Sequence, residues 1–237
     1  MSLMESIKER LICAAGEEFA EKGFEGATIR SICARAEANI AAVNYHFGDK
    51  SQLYNQTLLE AHRWGESETE HELPWNATHL PPDQQLRHFV RHLLSRVFSI
   101  TSEGWQFQLI MREMLQPTGA SAFLVRERIG PRFQYLNTIL KQIVPHVDEI
   151  RLSAIAFSVI GQCLFYRMAR PITQHLLSSS QLDSLNLDYL TDHISQFTLA
   201  ALGAAPPISQ SSRPVSWTAS QNPLPLSSTQ LVTEVNP

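Results

Sequence analysis

Proline frames this chain. None occurs in the first fifty residues, and the seven before residue 200 (Pro74, Pro81, Pro82, Pro117, Pro131, Pro145 and Pro171) stand between apolar-periodic stretches or near their ends. Proline lacks the N–H that an interior helical residue donates, and its ring crowds the preceding turn, so these positions mark helix boundaries. Between them no stretch sustains period-2 alternation of β-branched and aromatic residues, and no Asn-Gly or Asp-Gly hairpin turn occurs. The pattern predicts an all-α chain.

The first sixty residues divide finely. Ile7, Leu11, Ala15 and Phe19 recur every four residues and predict a helix over 6–22, which Gly23 ends in a left-handed turn. Thr28 is placed to cap a second helix carrying Ile29, Ile32, Cys33 and Ala36. After a break at Glu37-Ala38, Asn39 caps a third helix over 40–47, and Gly48 stops it. Asp49 then caps a longer fourth helix with Leu53, Tyr54, Thr57, Leu58 and Ala61 on one side. Two short helices across a three-residue turn, braced by a longer first helix, have the pattern of a helix-turn-helix module. In that module the second short helix enters the DNA major groove.

The remainder is larger and more apolar. A polar segment over 66–82 leads to expected helices at 83–100, 104–115, 120–144 with a break at Gly130-Pro131, 148–169 and 185–202. Residues 204–237 hold six Pro and seven Ser with only Arg213 and Glu234 charged, too little to bury a core, and are expected to be disordered. The expected organisation is an N-terminal three-helix helix-turn-helix domain (1–50) and a larger C-terminal helical ligand-binding and dimerisation domain (51–203). The fourth helix, from about residue 51, links the two, and a Pro/Ser-rich tail (204–237) follows.

Several function classes fall away. Cys13, Cys33 and Cys163 are odd in number and far apart, which fits no disulfide framework or metal site and points to a reducing cytoplasm. The first 22 residues carry five acids and three bases, unlike a secretory leader. No unbroken run of about 18 apolar residues argues for a membrane span. His88 and His92 stand four apart without a third ligand, and the Glu66, Glu68, Glu70 and Glu72 run reads as a solvated helix end, so no metal is expected. No nucleophile–base pair or phosphate-binding glycine loop is present, so no catalytic residue and no cofactor is expected, and an all-α enzyme is the weaker reading.

The third helix carries the functional reading. Val43 and Phe47 anchor one face, while Ala41, Ala42 and Tyr45 are expected to point outward, flanked by Asn44 and His46. Alanines let the backbone approach base edges, and Asn44 has the paired donor and acceptor that read adenine. Tyr45 and His46 suit phosphate. Lys50, Thr28 and Arg30 stand at helix starts where the flanking backbone passes, and Asn39 heads the reading helix. The net charge of −4 means that few cations are available, so specificity must lean on fit at Ala41, Ala42 and Asn44. By spacing alone, a three-helix packing unit without DNA remains open.

The stretch TIRSICARAEANIAAVNYHFGDKSQLY resembles the DNA-binding domain of TetR-family transcriptional regulators, through His46-Phe47-Gly48-Asp49-Lys50 above all. NIAAVNYHFGDK, Arg112-Glu113-Met114-Leu115-Gln116-Pro117 and Gly161-Gln162-Cys163-Leu164-Phe165-Tyr166 resemble the CecR-like subgroup. The resemblance covers residues 5–58 and, more weakly, the chain to about 200. Three positions depart from the family pattern. Glu37 replaces the usual glycine of the turn, Asn44 the usual tyrosine, and Ile40 an often polar residue.

The resemblance implies a homodimer paired through its last two helices. It would bind a near-palindromic double-stranded DNA operator as a repressor and leave it when a small apolar effector enters the C-terminal domain. Trp105, Phe107, Met111, Arg112, Phe165 and Tyr166 are the candidate effector contacts, with Gln162 and Arg167 as further polar handles. Such stripes are equally core residues, and Arg112 can instead pair with Glu103 or Glu113. The competing reading is an all-α protein-binding adaptor without DNA binding, whose affinity would show no salt slope.

Overall fold

The computed structural model describes residues 6–63, 74–99 and 104–206, and among these every regular element is helical. The expectations for residues 66–73 and 207–237 lie outside them. Helix α1 (Ile7–Gly26) opens on a capping box: the Ser6 hydroxyl accepts from the Glu9 N–H and the Glu9 carboxylate from the Ser6 N–H at 2.7 Å. Its regular part ends at Gly23, whose φ of 74° only glycine adopts freely. Leu11, Ala15 and Phe19 are buried, whereas Ile7, first of the predicted stripe, is exposed.

Helix α2 (Ile29–Arg35) starts from a Thr28–Ser31 capping box. Helix α3 (Ile40–Phe47) starts where the Asn39 side-chain Oδ1 accepts from the Ala42 N–H at 2.8 Å. Helix α4 (Lys50–Arg63) starts where Asp49 accepts from the Gln52 N–H at 2.8 Å. In the turn between α2 and α3, Glu37 takes φ 50°, alone among the described non-glycine residues in the left-handed region. The turn is therefore kept, with mild strain where a glycine would have none.

A 3-10 turn (Pro74–His79) precedes α5 (Pro82–Ser99), α6 (Trp105–Leu115) and α7 (Ala120–Leu124). The break expected at Gly130-Pro131 is a widened π-helical segment (Val125–Ile129) running into α8 (Gly130–Ile143). Pro131 has no N–H for the preceding turn, and the wider ring takes up its bulk without stopping the helix. Helix α9 (Glu149–Met168) is capped by Asp148. Two short helices, α10 (Arg170–Leu176) and α11 (Ser179–Ser184), lie in a stretch the sequence pattern left unassigned. Pro171 sits in the first turn of α10, where its missing N–H is no loss. Helix α12 (Leu187–Ala201) is the last element.

The apolar side chains form two cores. The first joins α1–α4 and takes in Leu109 of α6 and Ala120 of α7. The second joins α5, α8, α9 and α12. Arg87 pairs with Asp192 at 2.7 Å and Arg91 with Asp188, fastening α12 along α5. Helix α9 is, by length and composition, apolar enough to cross a membrane, which a search for unbroken apolar runs passes over. Core helices of ordinary globular proteins meet the same test, and α9 sends Leu152, Ala156, Val159 and Cys163 into the second core.

Candidate nucleic-acid interface and effector region

Val43 and Phe47, four apart, seat α3 on the first core. Ala41, Asn44, Tyr45 and His46 are exposed, Tyr45 to 85% with its ring edge-on to His46 at 4.9 Å. Two positions differ from the sequence reading. Ala42 is half-buried against the first core, one helical step too far round to face outward. Ile40, counted only as a departure from the family pattern, is half-exposed at the head of this face. Asn39 and Thr28 each use a side-chain oxygen on their own helix, Thr28 accepting from the Ser31 N–H at 3.1 Å. Both hold the ends of the two short helices in place.

The cations divide sharply. Arg35 forms ion pairs with Glu17 at 2.9 Å, Glu18 at 3.3 Å and Glu21 at 3.2 Å, all on α1. Burial alone would raise the Glu18 carboxyl, but Lys22, Ser31 and Arg35 outweigh it and hold the group below its ordinary range. Arg35 is thus a brace between α2 and α1. Lys50 lies 4.6 Å from the centre of the Phe24 ring and donates to the Glu25 carbonyl at 3.5 Å, yet remains partly exposed. Arg30 is exposed and makes no ion pair among the described residues. Arg30 and Lys50 are therefore the cations that flank the exposed face of α3.

The six candidate effector residues do not converge on one cavity. Trp105 lies flat on α1, so close that a Cβ at Gly16 would stand 2.2 Å from its ring. Arg112 donates from Nε to the Ala20 carbonyl at 3.2 Å and from Nη2 to the Glu21 carbonyl at 3.1 Å. These are carbonyls of the last turn of α1, which the break at Gly23 leaves without helical donors. Among the described residues Arg112 makes no ion pair with Glu113; Glu103, the other acid weighed for it, lies outside them. Glu113 instead is buried and accepts from the Tyr54 hydroxyl at 2.8 Å, the Thr118 N–H at 2.9 Å and the Thr118 and Ser121 hydroxyls. Burial, and then the Glu113 carboxylate, push the Tyr54 hydroxyl pKa well up.

Phe107, Met111 and Arg112 line an open groove of about 420 Å3 with Ala20 and Leu115. Tyr166 packs against the second core, and Phe165 is largely exposed on α9. Gln162 lines a different cavity, of about 380 Å3, between α9 and α12 with Val147, Ile155 and Phe197. Arg167 stacks on Phe107 at 5.1 Å. No pattern within one helix announces the seat of Trp105 on Gly16 or the Tyr54–Glu113 bond; each joins residues far apart in the chain.

Known proteins match most of this arrangement. Residues 11–57 match the family model described as bacterial regulatory proteins of the tetR family. Residues 82–203 match the C-terminal domain of the HTH-type transcriptional dual regulator CecR. The HTH-type transcriptional dual regulator CecR of Shigella flexneri is 29% identical over 179 residues, covering 70% of this chain and 78% of its own. Among solved structures, a TetR-like transcriptional regulator from Rhodococcus sp. RHA1 superposes with a TM-score of 0.56 at 16% identity, over 86% of this chain and 100% of its own. AibR, solved in complex with isovaleryl coenzyme A and operator DNA, gives 0.54 at 17% identity, over 81% of this chain and 97% of its own.

Proposed function

This chain belongs to the TetR family of DNA-binding transcriptional regulators, with a CecR-type C-terminal domain, and on that premise we propose that it is a ligand-responsive homodimeric repressor. The observation that carries the reading is the exposed face of α3: Ala41, Asn44, Tyr45 and His46 outward, Val43 and Phe47 inward. Asn44 reads a base edge and the small Ala41 lets the helix approach. Tyr45, His46, Arg30 and Lys50 hold phosphates and set the register.

The dimer follows from the other end. Ile150, Phe157, Phe165 and Met168 of α9 and Phe197 of α12 are exposed in the single chain, an apolar surface that a second copy covers by two-fold symmetry. Two-fold pairing sets two recognition helices on half-sites about 34–36 Å apart. A small molecule in the C-terminal half then favours a spacing that no longer matches, for which a coupling of about 1–3 kcal/mol suffices. That AibR holds an acyl thioester and DNA in one complex supports a fold able to carry both. The residues divide at 1–50 for reading DNA and 51–203 for effector binding and pairing.

Selection of operators from random duplex DNA tests the reading. A near-palindromic site bound by two copies, with affinity falling as salt rises, is expected. A chain that enriches no sequence, or whose binding ignores salt, returns the reading to the protein-binding adaptor. The dual role in the name of the Shigella flexneri relative is the reason to score transcription from the recovered site as well as binding.

A further inference from the structure

Arg167, on the last turn of α9, is 9% exposed, with its guanidinium over the Phe107 ring. Among the described residues its Nε and Nη2 have no hydrogen-bond partner and no carboxylate pairs with it. Arg96, the other buried arginine, is different: it donates to the His62 carbonyl. Arginine does not shed its proton, so Arg167 stays charged where water is scarce. Burial lowers its pKa, and the neighbouring charge of Arg170 lowers it further. A buried polar group without a partner demands an explanation.

The two orphaned nitrogens are not an arbitrary pair. Nε and Nη2 share one edge of the guanidinium plane, and their N–H bonds run parallel. That edge grips both oxygens of a carboxylate or phosphoryl group at once. Phe107 connects the guanidinium to an apolar surface, because the ring under it also lines the α6 groove beside Met111 and Leu115. An occupant suited to both has an anionic head and an apolar body.

We propose that Arg167 anchors the anionic head of a small organic effector whose apolar part lies along Phe107 on α6. This rests on the ligand-responsive reading and narrows it from an apolar molecule to an amphipathic anion. It also explains why a cation is held buried over an aromatic ring without a counter-charge: the ligand brings it.

The full-length chain is titrated calorimetrically with hexanoate, monohexyl phosphate and neutral hexanamide. One of the anions is expected to bind about 10- to 100-fold more tightly than hexanamide, the size of a charged hydrogen-bond pair. Whichever anion binds names the head group. Arg167→Gln is expected to abolish that difference, and Arg167→Lys to keep part of it. Equal binding of the amide, or no anion binding up to about 10 mM, overturns the proposal. Arg167→Met, which removes the unpaired charge, is expected to unfold at or above the temperature of the unliganded parent. A clear drop makes Arg167 a structural residue, and a halved native mass in Arg167→Gln assigns its counter-charge to a second copy; either overturns the site. Operator binding is scored separately. Anion binding without operator release keeps the Arg167 site and sinks the effector reading. Release by a neutral molecule, undiminished in Arg167→Gln, keeps the effector reading and sinks the site.

Discussion

The outward faces of α3 and α9 are built by the same rule and carry opposite chemistry. Each helix drives one side into a core, α3 with Val43 and Phe47, α9 with Leu152, Ala156, Val159 and Cys163. What each leaves outside separates them. On α3 the exposed set is led by Ala41, Asn44, Tyr45 and His46, small or hydrogen-bonding groups at ease in water and in a DNA groove. On α9 it includes Ile150, Phe157, Phe165 and Met168, which gain by leaving water. The inward residues explain why both helices exist; the outward residues separate the proposed reading surface from the proposed assembly surface.

Glu113→Ala strikes the joint between the two regions. It leaves the buried Tyr54 hydroxyl and the half-buried Thr118 and Ser121 donors without their acceptor. A loss of about 3 kcal/mol or more is expected in urea unfolding, because each orphaned group carries its own desolvation penalty. Tyr54→Phe, which removes only one donor, is expected to lose clearly less.

The α9 face is tested by Phe157→Arg. Phe157 is exposed in the single chain, so the monomer is expected to fold while association weakens by about 2–4 kcal/mol, read by analytical ultracentrifugation. An unchanged dimer would move the assembly surface elsewhere.

Gly16→Ala probes how α6 holds the reading end. The new methyl collides with the Trp105 ring, and a loss of about 1–3 kcal/mol is expected. Adding Trp105→Ala should recover part of it, a coupling measurable by a double-mutant cycle. Asn44→Ala belongs to the α3 face alone. It should leave stability and dimer intact, cost about 1–3 kcal/mol in operator affinity and relax preference at one base position. A uniform loss across sequences would place Asn44 on phosphate.

The smallest effect is a pH dependence. His62, at the end of α4, is half-buried, its Nδ1 lying 3.0 Å from Arg132 Nη1. Burial first, and then the charges of Arg96, Arg132 and Arg128, hold its pKa well below the usual histidine value. A depressed folded-state pKa means that the unfolded chain takes up a proton first. Stability is therefore expected to be intact above about pH 6.5 and to fall by at most about 1.4 kcal/mol per unit as the pH drops below it. His62→Gln should flatten that slope.

The first core was largely legible in the sequence because its signals are local: a stripe at every fourth residue, three side-chain caps and two glycines at turns. The same local signals gave α3 and its inward pair. They misplaced Ala42, because helical spacing alone does not say how wide the buried stripe is. The pairing of Arg35 could not be read from the sequence, because its three carboxylates sit 14–18 residues away on another helix. That Trp105 and Arg112, two of the effector candidates, also hold α1 could not be read for a similar reason. Apolar and basic residues on an apolar helix look alike whether they face a cavity or a neighbouring helix, and only packing separates the two. Helices α10 and α11 escaped notice because proline was taken as a stop, whereas Pro171 opens a helix.

The shared core has a consequence for anyone cutting this protein. Trp105, Leu109, Arg112 and Glu113 come from the second half of the chain yet seal, seat or bond the first. A graft of residues 1–63 onto another regulator's sensing half leaves all four behind, with a bare Gly16, unfilled apolar space at Leu109 and a buried Tyr54 hydroxyl lacking its acceptor. A working chimaera has to follow the seam in space, carrying residues 105–121 with the reading head although some forty residues of chain separate them.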